Sequence, residues 1–522
     1  MSNIVRMSHY TLHPSWSEAW PNDIVPLPLG RDHLPIEPAR LARFPGSRVH
    51  VFFVAPETSA VRPDAVALAR RFLAERPDVG IFYADDAVVA SDGGIESVHC
   101  KPSFNMALML ADDYMAFPLL IRAEVFAKVA MRSEPDIQGA AWYRFCLDAL
   151  AAGIGIDRIP HTLLASPTPR PKAPSGPRAE TASRWLIETG QPLTLQAGRV
   201  AGTTGLRRVF AEHPAVTLVI PTRQSAPVDD DGRQGRPFIV NFLDSLGRST
   251  YPLDRVTVLV GDDEADDTVY AGRDDRFALK RIVTRLAPGE RFNYAAKMNR
   301  LWRAAETDLM VLMNDDIGVG TPDWIEALLT FAMDPDVGGV GARLLFPDGR
   351  LQHAGMFGGI FGVCAHPWYM LPAEAPTYDG WAQTHRDCSA VTGAVFATRR
   401  APMEAVDGFD EGFSLDFNDV DLCFKMRMLG YRIVYTPFAE MTHYEKASRR
   451  SEFAPGDQVA RYLRKWADVL ADDPMSSPQL RDDTDRVAPR TTASAWVRER
   501  PDLFTAARGT DATDPRSARE GL

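Results

Sequence analysis

Two distant stretches of this chain repeat one another, and the repeat limits what the chain can fold into. VHVFFVAPETSAVRPDAVALARRFLAERPDVGIFYAD begins at Val49, and LMVLMNDDIGVGTPDWIEALLTFAMDPDVGGVGARL begins at Leu309. Each is an apolar run, a polar turn, Pro-Asp opening a helical pattern, and Pro-Asp-Val-Gly before another apolar run. Pro63 and Pro77 are 14 residues apart, Pro322 and Pro335 13. The order reads strand, loop, helix with proline in its first turn, strand. The likeness continues. Leu119–Arg122 and Val395–Thr398 each precede a short helical pattern. FCLDALAAGIGIDRIPHTLL echoes LCFKMRMLGYRIVYTPFAEM, each a helix ending at glycine (Gly153, Gly430), then a strand and proline. A duplicated α/β unit follows. The first copy lacks an opening strand-helix-strand block, which the second has from Val216 onward.

The expected divisions are an N-terminal extension (1–46), a half domain (47–170), a linker (171–212), a full α/β domain (213–450) and a helical segment with polar tail (451–522). The linker is expected from SPTPRPKAPSGPR, with a short helix near Ser183 to Glu188. Beyond Pro474 little independent structure is expected, Ala495 to Phe504 excepted.

Charge narrows the function. Lys and Arg number 58 against 69 Asp and Glu, a net charge of −11, which argues against nucleic acid as a partner. A polyphosphate would need a local basic cluster or a metal ion. Cys100, Cys146, Cys364, Cys388 and Cys423 are scattered with no CxxC, as in a reducing cytoplasm. The N-terminus has no signal-peptide core, and the uncharged stretch Leu351–Ala373 is broken by glycine and proline. A soluble protein is expected, with peripheral membrane contact left open.

The second copy carries the chemistry. Val216–Ile220 is a strand ending at Pro221-Thr222, and Val256–Val260 ends in Gly261-Asp262-Asp263. Ligands of parallel sheets bind at the carboxyl ends of strands. Asp262 or Asp263 there can accept the imide N–H of a uracil or thymine ring, or simply cap a turn. The next strand ends in Asn314-Asp315-Asp316. Adjacent carboxylates at a buried strand end repel each other, and a divalent cation relieves that cost. Hard oxygen ligands select Mg²⁺ or Mn²⁺; a solvated turn is the alternative. Asn418-Asp419-Val420-Asp421 opens a helix, where the dipole caps the helix with a carboxylate and keeps it ionised as a general base requires. His443, Arg449 and Arg450 follow a further strand. In the loop Gly355 to Thr384, or beside it, His353, Trp368, Trp381 and His385 are candidates to touch a sugar or to pack.

Taken in order, VTLVIPTRQ, VLVGDDEADD, FNYAAKMNRLWRAAETDLMVLMNDDIGV, SAVTGAVFATRR and GFDEGFSLDFNDVDLCFKMRMLGYRIVYTPFAEMTHYEKASR resemble the family 2 glycosyltransferases. These have the GT-A (Rossmann-like nucleotide-diphospho-sugar transferase) fold, and the likeness is greatest to bacterial rhamnosyltransferase-like enzymes of surface polysaccharide. The resemblance implies that Asp262 contacts the nucleotide base, with Asp263, Thr222, Asn299 and Asp315 around the nucleotide. It implies that Asp316 binds the metal with Asn314 and His443, that Arg449 lies near the diphosphate, and that Asp419 deprotonates the acceptor hydroxyl. It further implies Mg²⁺ or Mn²⁺, a UDP- or dTDP-sugar donor, a glycan or lipid-linked glycan acceptor, and inversion at the cytoplasmic face of the plasma membrane. The first copy has Ala55-Pro56-Glu57 in place of Asn-Asp-Asp, and Gly139-Ala140-Ala141-Trp142 in place of Asn-Asp-Val-Asp. It is expected to be non-catalytic. The rival readings are a sugar nucleotidyltransferase and a non-catalytic scaffold of polysaccharide assembly.

Overall fold

The computed structural model describes residues 23–29, 51–90, 94–130, 140–167, 175–227, 234–272, 275–444 and 455–499. Its first sheet contains β1 (Ile24–Leu29), β2 (Val51–Pro56), β3 (Ala60–Val61), β4 (Val79–Val89), β5 (Ile95–His99), β6 (Leu119–Arg122) and β7 (Gly155–Ser166). The strand order is β1-β2-β6-β4-β7-β3, with β5 paired to β4. After a hairpin of β8 (Leu193–Ala197) and β9 (Thr204–Arg208) comes the second sheet. It is built from β10 (Val216–Thr222), β11 (Val256–Asp262), β12 (Ala278–Val283), β13 (Leu309–Met313), β14 (Ile317–Val319), β15 (Val337–Leu345), β16 (Leu351–His353) and, beyond a small hairpin of β17 (Phe357–Gly358) and β18 (Cys364–Ala365), β19 (Arg386–Asp387), β20 (Val395–Arg399) and β21 (Arg432–His443). Its order is β12-β11-β10-β13-β20-β15-β21-β14.

The duplication is visible in the pairing. The order β2-β6-β4-β7-β3 in one sheet matches β13-β20-β15-β21-β14 in the other. The senses match as well: β6 is antiparallel to β2 and β4 while β7 is parallel to β4, just as β20 is antiparallel to β13 and β15 while β21 is parallel to β15. Even β5 on β4 has its counterpart in β16 on β15. The helix after each Pro-Asp forms as the spacing demands. Ala65–Glu75 buries Ala65, Ala69 and Phe72 along one stripe. Trp324–Ala332 is buried all round, because β9 covers the side the sheet leaves open; Arg208 Nε donates to the Thr330 carbonyl at 3.1 Å.

Three expectations are revised. The extension is not separate from the first sheet: β1 pairs in parallel with β2, Ile24 opposite Val51, as β10 pairs with β13. It supplies the strand that the first copy otherwise lacks. In the linker the helix expected near Ser183 to Glu188 starts earlier, as Ser175–Glu188, and buries Arg178, Ala182, Trp185 and Leu186. Pro and Ser dominate the composition there, but these side chains find a surface to cover. The tail is also packed over residues 475–499; residues 500–504 of the expected stretch lie outside the described residues. Ser103 N donates to the Pro474 carbonyl (3.0 Å), Arg158 Nη2 to that of Ser476 (2.9 Å), and the Trp496 indole to that of Thr162 (2.8 Å). Phe361 N and Trp368 N donate to the carbonyls of Asp482 and Asp485, both at 2.7 Å. The described part of the tail, which includes the helix Ala495–Glu499, therefore straps the two copies together.

Candidate active site

Parallel pairing fixes where the polar strand ends meet. Thr222 lies opposite Asp262 in the β10–β11 register, and β13 flanks β10 on its other side, so the Thr222, Asp262 and Asn314 ends share one edge. The chain then turns from β13 into β14, which runs antiparallel to β21 with Ile317 opposite His443. That pairing delivers His443 to Asp316 across 127 residues of sequence (443 − 316).

Asp262 is fully buried. Its Oδ2 accepts from Tyr270 Oη (2.7 Å), Gln224 Nε2 (2.9 Å) and Arg281 Nε (3.0 Å), and its Oδ1 from Glu264 N (3.0 Å). Burial pushes this carboxyl up, and the four donors more than offset it, holding it below the usual range. Asp263 Oδ1 accepts from Thr284 Oγ1 (2.9 Å) and pairs with Lys297 Nζ (2.8 Å), which also donates to the Thr222 carbonyl (3.0 Å). Thr222 Oγ1 accepts from Gln224 N (2.9 Å) and donates to Asp315 Oδ2 (2.5 Å). Asp315 is thus turned back toward β10. Burial, reinforced by the charge of Asp316, pushes its carboxyl up to about 7 against the Thr222 bond and Lys297.

The metal candidates do converge. His443 Nδ1 lies 2.6 Å from Gln352 Oε1, and its Nε2 faces Asp316 Oδ1 at 3.2 Å and Asn314 Nδ2 at 3.4 Å. An amide oxygen at Nδ1 calls for the proton there, which leaves the Nε2 lone pair facing a carboxylate oxygen. Asp316 Oδ1 is buried and receives no hydrogen bond. Two acceptors aimed at one another fit a shared cation, and an oxygen and an imidazole suit Mn²⁺ or Mg²⁺. Among the described residues no group of three or more His, Cys, Asp or Glu is placed to hold an ion. Asp316 and His443 would therefore supply part of a coordination sphere whose remainder is phosphate and water, the usual arrangement for Mg²⁺.

Asp419 stands in the first turn of the helix Asn418–Met428. Its Oδ2 accepts from Gly393 N at 2.9 Å, and its Oδ1 from Val420 N at 2.8 Å. Phe417, before this helix, is left-handed (φ 62°, ψ 2°) and caps nothing with its side chain. A non-glycine residue held there costs about 1–3 kcal/mol. Tyr294 ties base and metal candidates together. Its hydroxyl donates to Asn314 Oδ1 (3.4 Å), and burial, joined by the charges of Asp419, Asp316 and Asp315, pushes its ionisation well up.

Other expected residues lie elsewhere. Asn299 Oδ1 accepts from Phe409 N (2.8 Å) and Trp302 Nε1 (3.0 Å), while its Nδ2 donates to the Phe409 carbonyl (2.9 Å) and Glu411 Oε1 (3.0 Å). All its hydrogen-bonding capacity is used inside the protein, so it holds the 409–411 loop instead of lining the nucleotide pocket. Arg449 lies outside the described residues. His353, Trp368, Trp381 and His385 are all buried, so none offers a face to a sugar. The Trp368 ring lies 5.7 Å from the buried guanidinium of Arg386, which also sits over Phe357 at 4.7 Å and Tyr435 at 5.3 Å. Sequence reasoning passed over Tyr294, Lys297, Gln224 and Gln352. The first two stand in the FNYAAKMNR stretch, on a helix (Tyr294–Ala304) whose buried face includes Ala295, Met298 and Leu301. That periodicity predicts the helix's packing but not where its remaining side chains reach.

Residues 213–467 match the model of glycosyltransferase-like family 2. The chain carries a family 2 glycosyltransferase domain. Its second copy has the GT-A fold. The protein y4gI of Sinorhizobium fredii is 30% identical over 439 residues, 80% of this chain and 47% of that protein. The O-antigen biosynthesis protein RfbC of Myxococcus xanthus is 30% identical over 434 residues, covering 80% and 33%. The N-acetylglucosaminyl-diphospho-decaprenol L-rhamnosyltransferase of Mycobacterium tuberculosis is 27% identical over 255 residues, 45% of this chain and 80% of that one. The chain thus spans less than half the length of the first two relatives, whose matches include the first copy as well as the transferase domain. No helix among the described residues is long and apolar enough to cross a membrane.

Proposed function

We propose that this chain is a metal-dependent, inverting glycosyltransferase. It moves a sugar from a UDP- or dTDP-linked donor to a hydroxyl of a bacterial glycan or lipid-linked glycan. The observation that carries the reading is the approach of His443 to Asp316 (3.2 Å) beside Asn314, which Tyr294 contacts, at the edge where Thr222 and Asp262 also finish. In this reading Asp262 accepts an imide N–H of uracil or thymine. Asp316 and His443 would hold Mg²⁺ or Mn²⁺, whose contribution when bound is to stabilise charge on the departing diphosphate. Asp419 takes the proton of the acceptor hydroxyl as that oxygen attacks the anomeric carbon from the face opposite the diphosphate. A single in-line displacement inverts the configuration. The names of the O-antigen and rhamnosyltransferase relatives support a polysaccharide acceptor, and a lipid-linked one would bring the enzyme to the inner face of the plasma membrane. Calorimetry with UDP, dTDP and a panel of their sugars, with and without Mn²⁺, tests the reading. Micromolar binding that requires the metal and disappears in Asp316→Ala is expected. A folded protein that binds no nucleoside diphosphate would overturn it.

A further inference from the structure

The helix that carries Asp419 follows a left-handed Phe417. One segment of the chain grips this helix at both ends. At the start, the Phe417 ring stacks on Tyr462 with centroids 4.4 Å apart and planes 11° from parallel. Asp421, in the same turn as Asp419, is fully buried, and its Oδ1 accepts from Trp466 Nε1 (2.9 Å) and Lys465 Nζ (2.6 Å). At the far end, Arg427 Nη2 donates to Asp473 Oδ1 at 3.0 Å, and Asp473 Oδ2 accepts from Gly358 N at 2.7 Å and from Ser389 Oγ. Tyr462, Lys465 and Trp466 share the helix Gly456–Ala471, with Asp473 just past its end.

A buried carboxylate bridged to a lysine and an indole is a poor way to gain stability, because desolvation consumes most of what the pairing returns. It is a good way to fix an angle. The first copy provides an internal comparison. Where the second has Asp419 and Asp421, the first has Ala140 and Trp142, so the base and the gripped carboxylate are missing together.

We infer that the segment from Gly456 to Asp473 is a clamp that aims Asp419, with Trp466 and Asp421 as positioning residues for the proton transfer. The inference rests on the reading of Asp419 as the base, and the clamp acts only through that residue. Trp466→Phe keeps an aromatic ring at the position and deletes the indole N–H that, with Lys465, holds Asp421.

Two measurements on the full chain test it. Hydrogen exchange of Trp466→Phe should show the amides of Asp419 to Leu422 exchanging about tenfold faster, while those of β13 and β20 stay protected. With the donor that binds in the calorimetric panel, kcat for nucleoside diphosphate release should fall about tenfold or more at unchanged donor Kd, since small misalignments of a catalytic group are costly. Asp421→Asn should do the same, and the double variant should be no worse than the single ones. Exchange unchanged at 419–422, or raised uniformly across the domain, overturns the clamp; so does a wild-type kcat in Trp466→Phe when Asp419→Asn is inactive. If Asp419→Asn itself turns over normally, the base assignment fails, and the clamp fails with it as a catalytic device. Where turnover is too slow to read, the exchange pattern alone decides.

Discussion

Asp419 touches one backbone amide beyond its own helix, Gly393 N at 2.9 Å, so little besides its charge and direction distinguishes it from an ordinary helix-capping residue. Asp419→Asn preserves that contact and removes the ability to take a proton. Turnover should drop by about 10²–10⁴-fold, measured as nucleoside diphosphate release, with donor affinity by calorimetry unchanged. Undiminished turnover would take the base role away from it. At this scale the sequence was a partial guide. Adjacent carboxylates at a strand end carry a charge cost that can be read without a structure, which is why Asp316 was legible. His443 was legible only through family resemblance, since its proximity to Asp316 depends on the β14–β21 pairing. Asn299 misled because a buried amide and a ligand-binding amide look alike in sequence; its four internal partners separate the two. Lys297 and Tyr294 reach the site from a helix whose pattern records only what it packs on.

Among the elements, the β8–β9 hairpin is joined to the second sheet by a histidine. His385 is wedged between Phe331 and Phe438, ring centroids 4.9 and 4.8 Å away, and its Nε2 accepts from Leu206 N at 3.0 Å. Burial holds its pKa down at about 3. The folded state therefore stays unprotonated between about pH 6.5 and 3 while the unfolded chain takes up the proton, so this residue lowers stability as pH falls through that window. His385→Gln can still accept from Leu206 and cannot titrate. Relative to wild type, its stability from denaturant melts should improve by up to about 1.4 kcal/mol for each pH unit below 6.5. Parallel curves would show that His385 does not carry the effect. A second test concerns β11 and the helix Tyr294–Ala304. A Cβ built on Gly261 would lie 2.4 Å from Leu301 Cδ1, so Gly261→Ala should cost about 1–3 kcal/mol by overpacking, read as a lower Tm; an unchanged Tm would mean the helix gives way freely. The periodicities that predict these elements are local properties, and they serve well. Only the last part of the helix Ser175–Glu188 was legible, because its Pro- and Ser-rich lead-in dominates the composition, whereas the burial of Trp185 and Leu186 depends on a distant surface.

Across the whole molecule, two copies of one sheet are held together by the tail and by contacts such as Asn105 Nδ2 to the Asp387 carbonyl (3.2 Å) and Cys100 N to Tyr378 Oη (2.6 Å). Trp496 is the buried anchor of the tail on the first copy. Trp496→Ala should cost about 3–5 kcal/mol and split a single melting transition into two as the copies uncouple, whereas one unsplit transition would show that the strap is not what joins them. The shared strand order was foreshadowed by matching motifs, but the recruitment of β1 was not, since Ile24–Leu29 carries no sign of its destination. That recruitment bears on whether the first copy could be given a site of its own. It supplies a counterpart of β10; among the described residues the sheet has nothing matching β11 and β12, the strands that bring Asp262 and Arg281 to the edge where Thr222 ends. An engineer who grafted Asn-Asp-Asp onto Ala55-Pro56-Glu57 and a carboxylate onto Ala140 would have restored the tools without the bench, a loop able to chelate an ion with no described strand beside it to seat a base.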